Sequence, residues 1–274
     1  MKVTFYKCNS KGNSFIIIFP SNSITLSSSQ IKNICKSTDA KLVDGLIFLD
    51  LNKNNNIPSM HYYNNDGTCE TFCLNGIICS SLILENNQLF PEYIKTDAGL
   101  CGIKILEQNL VQIALSKPSN IKFNKSKEKW EDSKNVFQPI LIDGFKSYYI
   151  NSGAKHIVIK SNENILFEDD LNLEKILKKI RNNKLFLPDG VNVNIYRIIA
   201  SNSIQVKTYE KGVEAMMPSC SSGSYACAYH HYHYNKLDKL KILNDGGTSE
   251  VIFGSNKNLF LSKGQIEYKG ELKI

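Results

Sequence analysis

Cys73 and Cys220 are the residues on which chemistry would turn. Cys73-Leu74-Asn75-Gly76 lies in the first half of the 274-residue chain and Cys220-Ser221-Ser222-Gly223 in the second, and each opens a run that reads as a buried helix. A thiol at the first turn of a helix meets the positive end of the backbone dipole and N–H groups without intrahelical acceptors, so negative charge on its sulfur is favoured. The small residues that follow, Asn75 and Gly76 in one motif and Ser221, Ser222 and Gly223 in the other, let backbone N–H groups approach a carboxylate closely. An amino acid resting its α-carboxylate on such ends would have the charge left by its α-proton stabilised by fixed dipoles, without pyridoxal phosphate or a metal. Two such thiols, one from each half, could face a substrate carbon from two sides.

The elements that must hold these sulfurs are mostly strands. Short β-rich runs at Val3–Tyr6, Phe15–Phe19, Leu46–Leu49, Tyr148–Ile150, His156–Ile159 and Val191–Ile195 are separated by Gly, Asn, Asp and Pro. Helical patterns interrupt them. Leu74–Leu84 is apolar nearly all round, as a helix threaded through a core is. Leu171–Ile180 sets Leu173, Ile176, Leu177 and Ile180 on one face of an amphipathic helix. Ser221–Tyr234 starts with small residues and ends in tyrosines and histidines.

Composition narrows the classes. Hydrophobic content of 42% with 13 Phe and 13 Tyr fits a globular protein, and the longest wholly apolar run, Phe15–Phe19, is too short to cross a bilayer. No secretory signal pattern opens the sequence, which points to the cytoplasm, where eight cysteines are expected as reduced thiols. The net charge of +7 is spread among scattered lysines and gives no nucleic-acid footprint. The densest basic stretch, Lys122–Lys134, also carries Glu128, Glu131 and Asp132 and reads as solvated linker. Zinc is disfavoured because no Cys-x2-Cys knuckle occurs, although Cys227, His230, His231 and His233 are close in sequence. The three histidines read as the wet end of a helix, and Cys69, Cys79 and Cys227 as packing thiols.

The polar stretch near residues 118–136 divides the chain into domains of 1–118 and 119–263. Each holds one Cys-x-x-Gly followed by a further cysteine, Cys79 or Cys227, an echo of internal duplication.

Ordered motifs then carry a resemblance. Lys7-Cys8-Asn9-Ser10-Lys11-Gly12-Asn13-Ser14-Phe15, Asp44-Gly45-Leu46, Asn64-Asn65-Asp66-Gly67-Thr68, Cys73-Leu74-Asn75-Gly76, Val191-Asn192-Val193-Asn194, Tyr209-Glu210-Lys211-Gly212 and Ser219-Cys220 with Gly223 fall in sequence. In this order and spacing the chain resembles the diaminopimelate epimerase family, the cofactor-independent two-cysteine racemases and epimerases, over essentially its whole length. The resemblance implies an α/β (α+β) fold of two pseudo-symmetric domains, each a curved β-structure around a central helix. It further implies that the last strand, 264–274, rejoins the first domain. Cys73 and Cys220 would be the acid–base pair. Asn13, Asn64, Asn192 and Glu210 would hold the substrate's amino and carboxylate groups, and His156 would lie close to the thiols. Without the family, these asparagines read as turn residues, Glu210 as a surface charge and His156 as a core histidine. Asn194 competes with Asn192 for the substrate role.

Several positions depart from the family pattern. Ala154 stands where the family has Asn, Lys211 replaces an Arg and so trades a bidentate fork for a point charge, and Leu74 stands where Gly is usual. Ser221-Ser222-Gly223 replaces Gly-Thr-Gly, and the segment from Glu210 to Cys220 is one residue longer. The expected activity is inversion of LL-diaminopimelate to the meso isomer, without cofactor, by a protein that the family implies is a homodimer. A racemase of another amino acid such as histidine is the alternative on the same fold. Proline-type enzymes fit the asparagine set less well, and a binding protein that lost catalysis is the rival from another class.

Overall fold

The computed structural model describes residues 2–21, 24–37, 43–51, 57–124, 129–133, 137–162, 164–188 and 190–274. The chain divides into two units, residues 1–115 with 259–274 and residues 116–258. In the first, β1 (Lys2–Ser10) and β2 (Asn13–Ile18) form an antiparallel hairpin. The helix α1 (Ser28–Ser37) leads to β3 (Gly45–Leu51), parallel to β2. β4 (Pro58–Asn64) returns antiparallel and pairs with the short β5 (Cys69–Glu70). After α2 (Leu74–Asn86), β6 (Tyr93–Thr96) lies parallel to β4, and β7 (Gly99–Ile105) and β8 (Leu110–Leu115) follow antiparallel. The pattern of side chains explains these choices. β4 alternates buried Met60, Tyr62 and Asn64 with partly exposed Ser59, His61 and Tyr63. Every residue of α2 from Leu74 to Leu84 is buried, which requires a helix with no polar face.

The second unit begins with β9 (Ser119–Asn124) and β10 (Lys129–Ser133), an antiparallel hairpin. β11 (Pro139–Ile142), β12 (Phe145–Asn151) and β13 (Lys155–Lys160) are successively antiparallel. The helix α3 (Asp170–Arg181) is capped by Asp169, whose carboxylate accepts the Asn172 N–H. It leads to β14 (Asn192–Ala200), parallel to β13, and β15 (Ser203–Glu210) returns antiparallel to carry β16 (Ala215–Met217). After α4 (Ser221–Asn235), β17 (Lys239–Asn244) lies parallel to β15, with β18 (Gly247–Ile252) antiparallel to it. The chain ends with β19 (Asn258–Lys263), beside β8, and β20 (Gln265–Lys273), antiparallel to β1.

The two units repeat one plan. Antiparallel pair, helix, parallel strand, antiparallel return, short strand, central helix and parallel strand occur as β1-β2-α1-β3-β4-β5-α2-β6 and again as β12-β13-α3-β14-β15-β16-α4-β17. The duplication that two short motifs only hint at is carried by the whole strand pairing. Among the described residues, no helix is long and apolar enough to cross a membrane.

Two expectations need correction here. The stretch read as a solvated linker is the β9–β10 hairpin of the second unit, apart from 125–128 and 134–136, which lie outside the described residues. Its lysines obscured the apolar residues that pack it. Ile121 is buried, and Trp130 lies edge-on to Tyr149, stacks on Phe186 and donates its indole N–H to the Leu185 carbonyl at 3.1 Å. Of the three histidines of α4, His233 is partly exposed near the helix end, but the other two are not at a wet end. His230 and His231 are both 2% exposed, because α4 runs through its unit and its later turns meet the rings of Phe137, Tyr148 and Tyr196. The Tyr196 hydroxyl hydrogen-bonds His230 Nδ1 at 2.9 Å.

Burial pushes His230 and the fully buried His156 down to about 3, so both imidazoles are neutral in the folded protein. The unfolded chain takes up these protons near pH 6.5 and the folded one does not until near pH 3. Stability is therefore full above pH 6.5 and lost as pH falls through that window, at about 2 kcal/mol for each histidine by pH 5. The expected result is a melting temperature roughly 10 °C lower at pH 5 than at pH 7, with both imidazoles still neutral by NMR. Titration of either ring near pH 6.5 in the folded protein would contradict it.

Candidate active site

In the first unit, Cys73 is the N-cap of α2. Its backbone is extended (φ −139°, ψ 106°) and its sulfur accepts the Gly76 N–H at 3.4 Å. That N–H and the helix dipole favour negative charge on the half-buried sulfur. Asn75, the second residue of the helix, donates through Nδ2 to Asn13 Oδ1 at 3.2 Å. Asn13 in turn hydrogen-bonds the Asp44 carboxylate, which also accepts the Ser14 N–H at 2.7 Å. Burial raises the Asp44 carboxyl, and these donors pull it back. Asn13 Oδ1 accepts from Asn75 and one amide hydrogen goes to Asp44, which leaves a second amide N–H that suits a carboxylate and one lone pair on the oxygen. Asn64 closes β4 opposite Gly45, itself opposite Phe15, so the strand starts of β2 and β3 and the end of β4 share one sheet edge. Its Oδ1 accepts the Tyr62 hydroxyl and its Nδ2 donates to Thr68, leaving likewise one N–H and one lone pair.

In the second unit, Cys220 is the N-cap of α4 (φ −120°, ψ 107°) and is 4% exposed. Here the dipole argument from sequence is overruled. Burial, then the Glu210 carboxylate that accepts its S–H, push the Cys220 thiol up to about 12, while the Ser222 hydroxyl and the Gly223 N–H pull the other way. Cys220 therefore rests as a protonated thiol. Glu210, at the end of β15, occupies the place in this unit that Asn64 occupies in the other. Asn192 fixes the loop after it, accepting the Lys211 N–H at 2.9 Å and donating to the Lys155 carbonyl at 3.3 Å. His156 pairs with Asn192 across β13 and β14 and reaches the Ser222 hydroxyl at 3.0 Å. Ser221, Ser222 and Gly223 form the first turn of α4, where the helix supplies their N–H groups no acceptor.

The structure thus brings Cys73, Asn75, Gly76 and Asn13 together in one unit, and Cys220, Ser222, Gly223, His156 and Glu210 in the other. Asn64, Asn192 and Lys211 lie at the same sheet edges, Asn64 closing β4 and Asn192 opening β14, with Lys211 directly after β15. Asn194, the rival of Asn192, is wholly buried and bonded to His156, the Ile157 carbonyl and Thr208. Asp44 is the residue that single-position reading undervalued. Its signal was an acidic residue directly before the apolar run of β3. Of the thiols assigned to packing, Cys79 and Cys227 are buried, but Cys69, on the two-residue β5, is exposed. Among the described residues, no group of three or more His, Cys, Asp or Glu is placed to hold a metal ion.

No family model matches the chain. Among curated proteins it is similar to the diaminopimelate epimerase of Hydrogenobaculum, 28% identical over 244 residues covering 85% of this chain and 83% of that one. It is also similar to that of Methanocella arvoryzae, 27% identical over 100% of this chain and 98% of the relative. Among solved structures, a phenazine biosynthesis protein of the PhzF family from Enterococcus faecalis superposes with a TM-score of 0.68 at 14% identity, covering 100% of both chains. A hydroxyproline epimerase from Agrobacterium vitis, solved with trans-4-hydroxy-L-proline, superposes with a TM-score of 0.64 at 11% identity, covering 99% of this chain and 91% of that one. The chain is thus similar in sequence to diaminopimelate epimerases over most of its length, and it shares the fold of the PhzF-family protein and of the hydroxyproline epimerase.

Proposed function

We propose that the protein inverts the α-carbon of an amino acid without a cofactor, Cys73 and Cys220 acting on opposite faces, with LL-diaminopimelate as the leading substrate. The observation that carries this reading is the same device built twice: a cysteine in extended conformation at the start of the buried central helix of each unit. The sulfurs are not equivalent at rest. Cys73 accepts a backbone N–H and faces the helix dipole, whereas Cys220 is buried against Glu210 and holds its proton. Cys73 is therefore the base and Cys220 the acid for the first turnover, and the next turnover starts from the opposite arrangement or after proton exchange with solvent. The substrate's carboxylate accepts from the N–H groups of the helix starts and from Asn13 and Asn64, so charge developing at the α-carbon spreads onto preorganised donors.

A racemase of another amino acid, histidine among them, is the second reading. It is favoured by Ala154, whose methyl cannot hydrogen-bond a substrate's far end, and by Lys211 in place of Arg. The test is a panel of diaminopimelate, histidine, glutamate and hydroxyproline in deuterated buffer, read by NMR for α-deuterium and by chiral chromatography for inversion. Exchange with inversion of one member identifies the substrate. No α-exchange with any member would overturn the proposal in favour of a binding protein.

A further inference from the structure

The buried polar groups behind Cys220 form a chain whose direction is set by one carbonyl. Ile157 O can only accept, and it lies 3.1 Å from Asn194 Nδ2, so the amide of Asn194 has its nitrogen at that end. Its oxygen is correspondingly the acceptor for the Thr208 hydroxyl at 2.9 Å. The same nitrogen is 3.0 Å from His156 Nδ1, which must then present a lone pair. A neutral imidazole with Nδ1 bare carries its hydrogen on Nε2, and Nε2 is 3.0 Å from Ser222 Oγ. Having accepted that hydrogen, Ser222 turns its own toward Cys220 Sγ, 3.5 Å away. Cys220 in turn gives its S–H to Glu210. The other titratable neighbour of the sulfur on α4 is Cys227, itself buried and held as a thiol.

We propose that Asn194 is a positioning residue that locks His156 in the Nε2–H form, so that the Ser222 hydroxyl always points at the Cys220 sulfur. The chain supplies a hydrogen bond to the thiolate left when Cys220 gives up its proton, and it cannot reverse, because Asn194 has no second acceptor orientation. His156 transfers no proton. It is a fixed donor, which gives a physical role to a histidine too desolvated to act as a base. The inference rests on the proposed reading of Cys220, but its test does not need the substrate.

In wild-type protein labelled with 15N-histidine, the expected His156 spectrum shows Nδ1 unprotonated and Nε2 protonated at pH 7. An Nδ1–H form would overturn the proposal. Asn194→Asp, whose carboxylate can only accept at that position, is expected to move the hydrogen to Nδ1. The second readout is the rate at which methyl methanethiosulfonate modifies Cys220 at pH 8, followed by peptide mapping. Losing the hydroxyl donor in Ser222→Ala is expected to lower this rate about ten-fold through a smaller thiolate fraction, and Ser222→Thr to restore it. The smaller alanine opens access to the sulfur, so a fall in rate is not a steric effect. A rate within two-fold of wild type in Ser222→Ala would sink the relay. Absence of racemisation with these thiol and NMR results intact would count against the enzymatic reading alone.

Discussion

Cys220→Ala and Cys73→Ala are each expected to lower inversion by at least about 1,000-fold, the scale of losing a positioned acid or base. The two losses differ in kind. With Cys73 alone, a thiolate can still take an α-proton from its own face and return a deuteron to that face, so one stereoisomer gains deuterium while keeping its configuration. With Cys220 alone, the remaining sulfur is a buried thiol pushed up to about 12, so exchange is expected to be slower from the other isomer. Chiral analysis of each stereoisomer after incubation in deuterated buffer separates inversion from exchange. Retained inversion in either variant would exclude the two-base scheme, because one sulfur cannot serve both faces without turning the intermediate over.

Gly223→Ala is the second change with a large expected effect. A methyl group there would lie 2.0 Å from Asn194 Oδ1, 2.9 Å from its Cγ and 3.2 Å from His156 Nδ1. Asn194 cannot yield, being held by His156, Ile157 and Thr208. Either the first turn of α4 shifts or a buried hydrogen bond breaks, at about 3 kcal/mol by either route, which lowers the melting temperature by roughly 10 °C. The matched position in the other unit behaves differently. A methyl on Gly76 meets Ile47 Cδ1 at 2.8 Å, the far end of a flexible side chain, and the Cys73 sulfur at an ordinary 3.5 Å. Helix propensity favours Ala over Gly by about 1 kcal/mol, so Gly76→Ala is expected to leave stability within about 1 kcal/mol of wild type. Calorimetry of the two variants checks the contrast, and equal effects would mean that Asn194 is not fixed.

The helices were legible where periodicity was strong. The apolar run Leu74–Leu84 is α2 to within two residues, and Leu171–Ile180 lies within α3, because a continuous apolar surface and a single apolar stripe each leave an unambiguous pattern. α1 was not read: Ile31, Ile34 and Cys35 face the core among Ser, Gln, Asn and Lys, too few apolar positions to stand out. Lysines mask the β9–β10 hairpin, and the buried His230 and His231 carry no local signal that separates them from a solvated polar cluster. Within the site, the cysteines and their glycines could be found from spacing, since helix starts have a strong local signature. The order of polarity behind Cys220 could not. It depends on Thr208 and Ile157 meeting Asn194 across three different strands, and no short motif encodes a hydrogen-bond direction.

Trp130 is the chain's one tryptophan, and it sits in the second unit, against Tyr149 and Phe186. Excitation at the red edge of the absorption band therefore illuminates residues 116–258 and leaves the other unit dark. Emission from this indole and far-ultraviolet ellipticity, followed together through a denaturant series, distinguish halves that come apart in one step from halves that come apart in turn, with no label added.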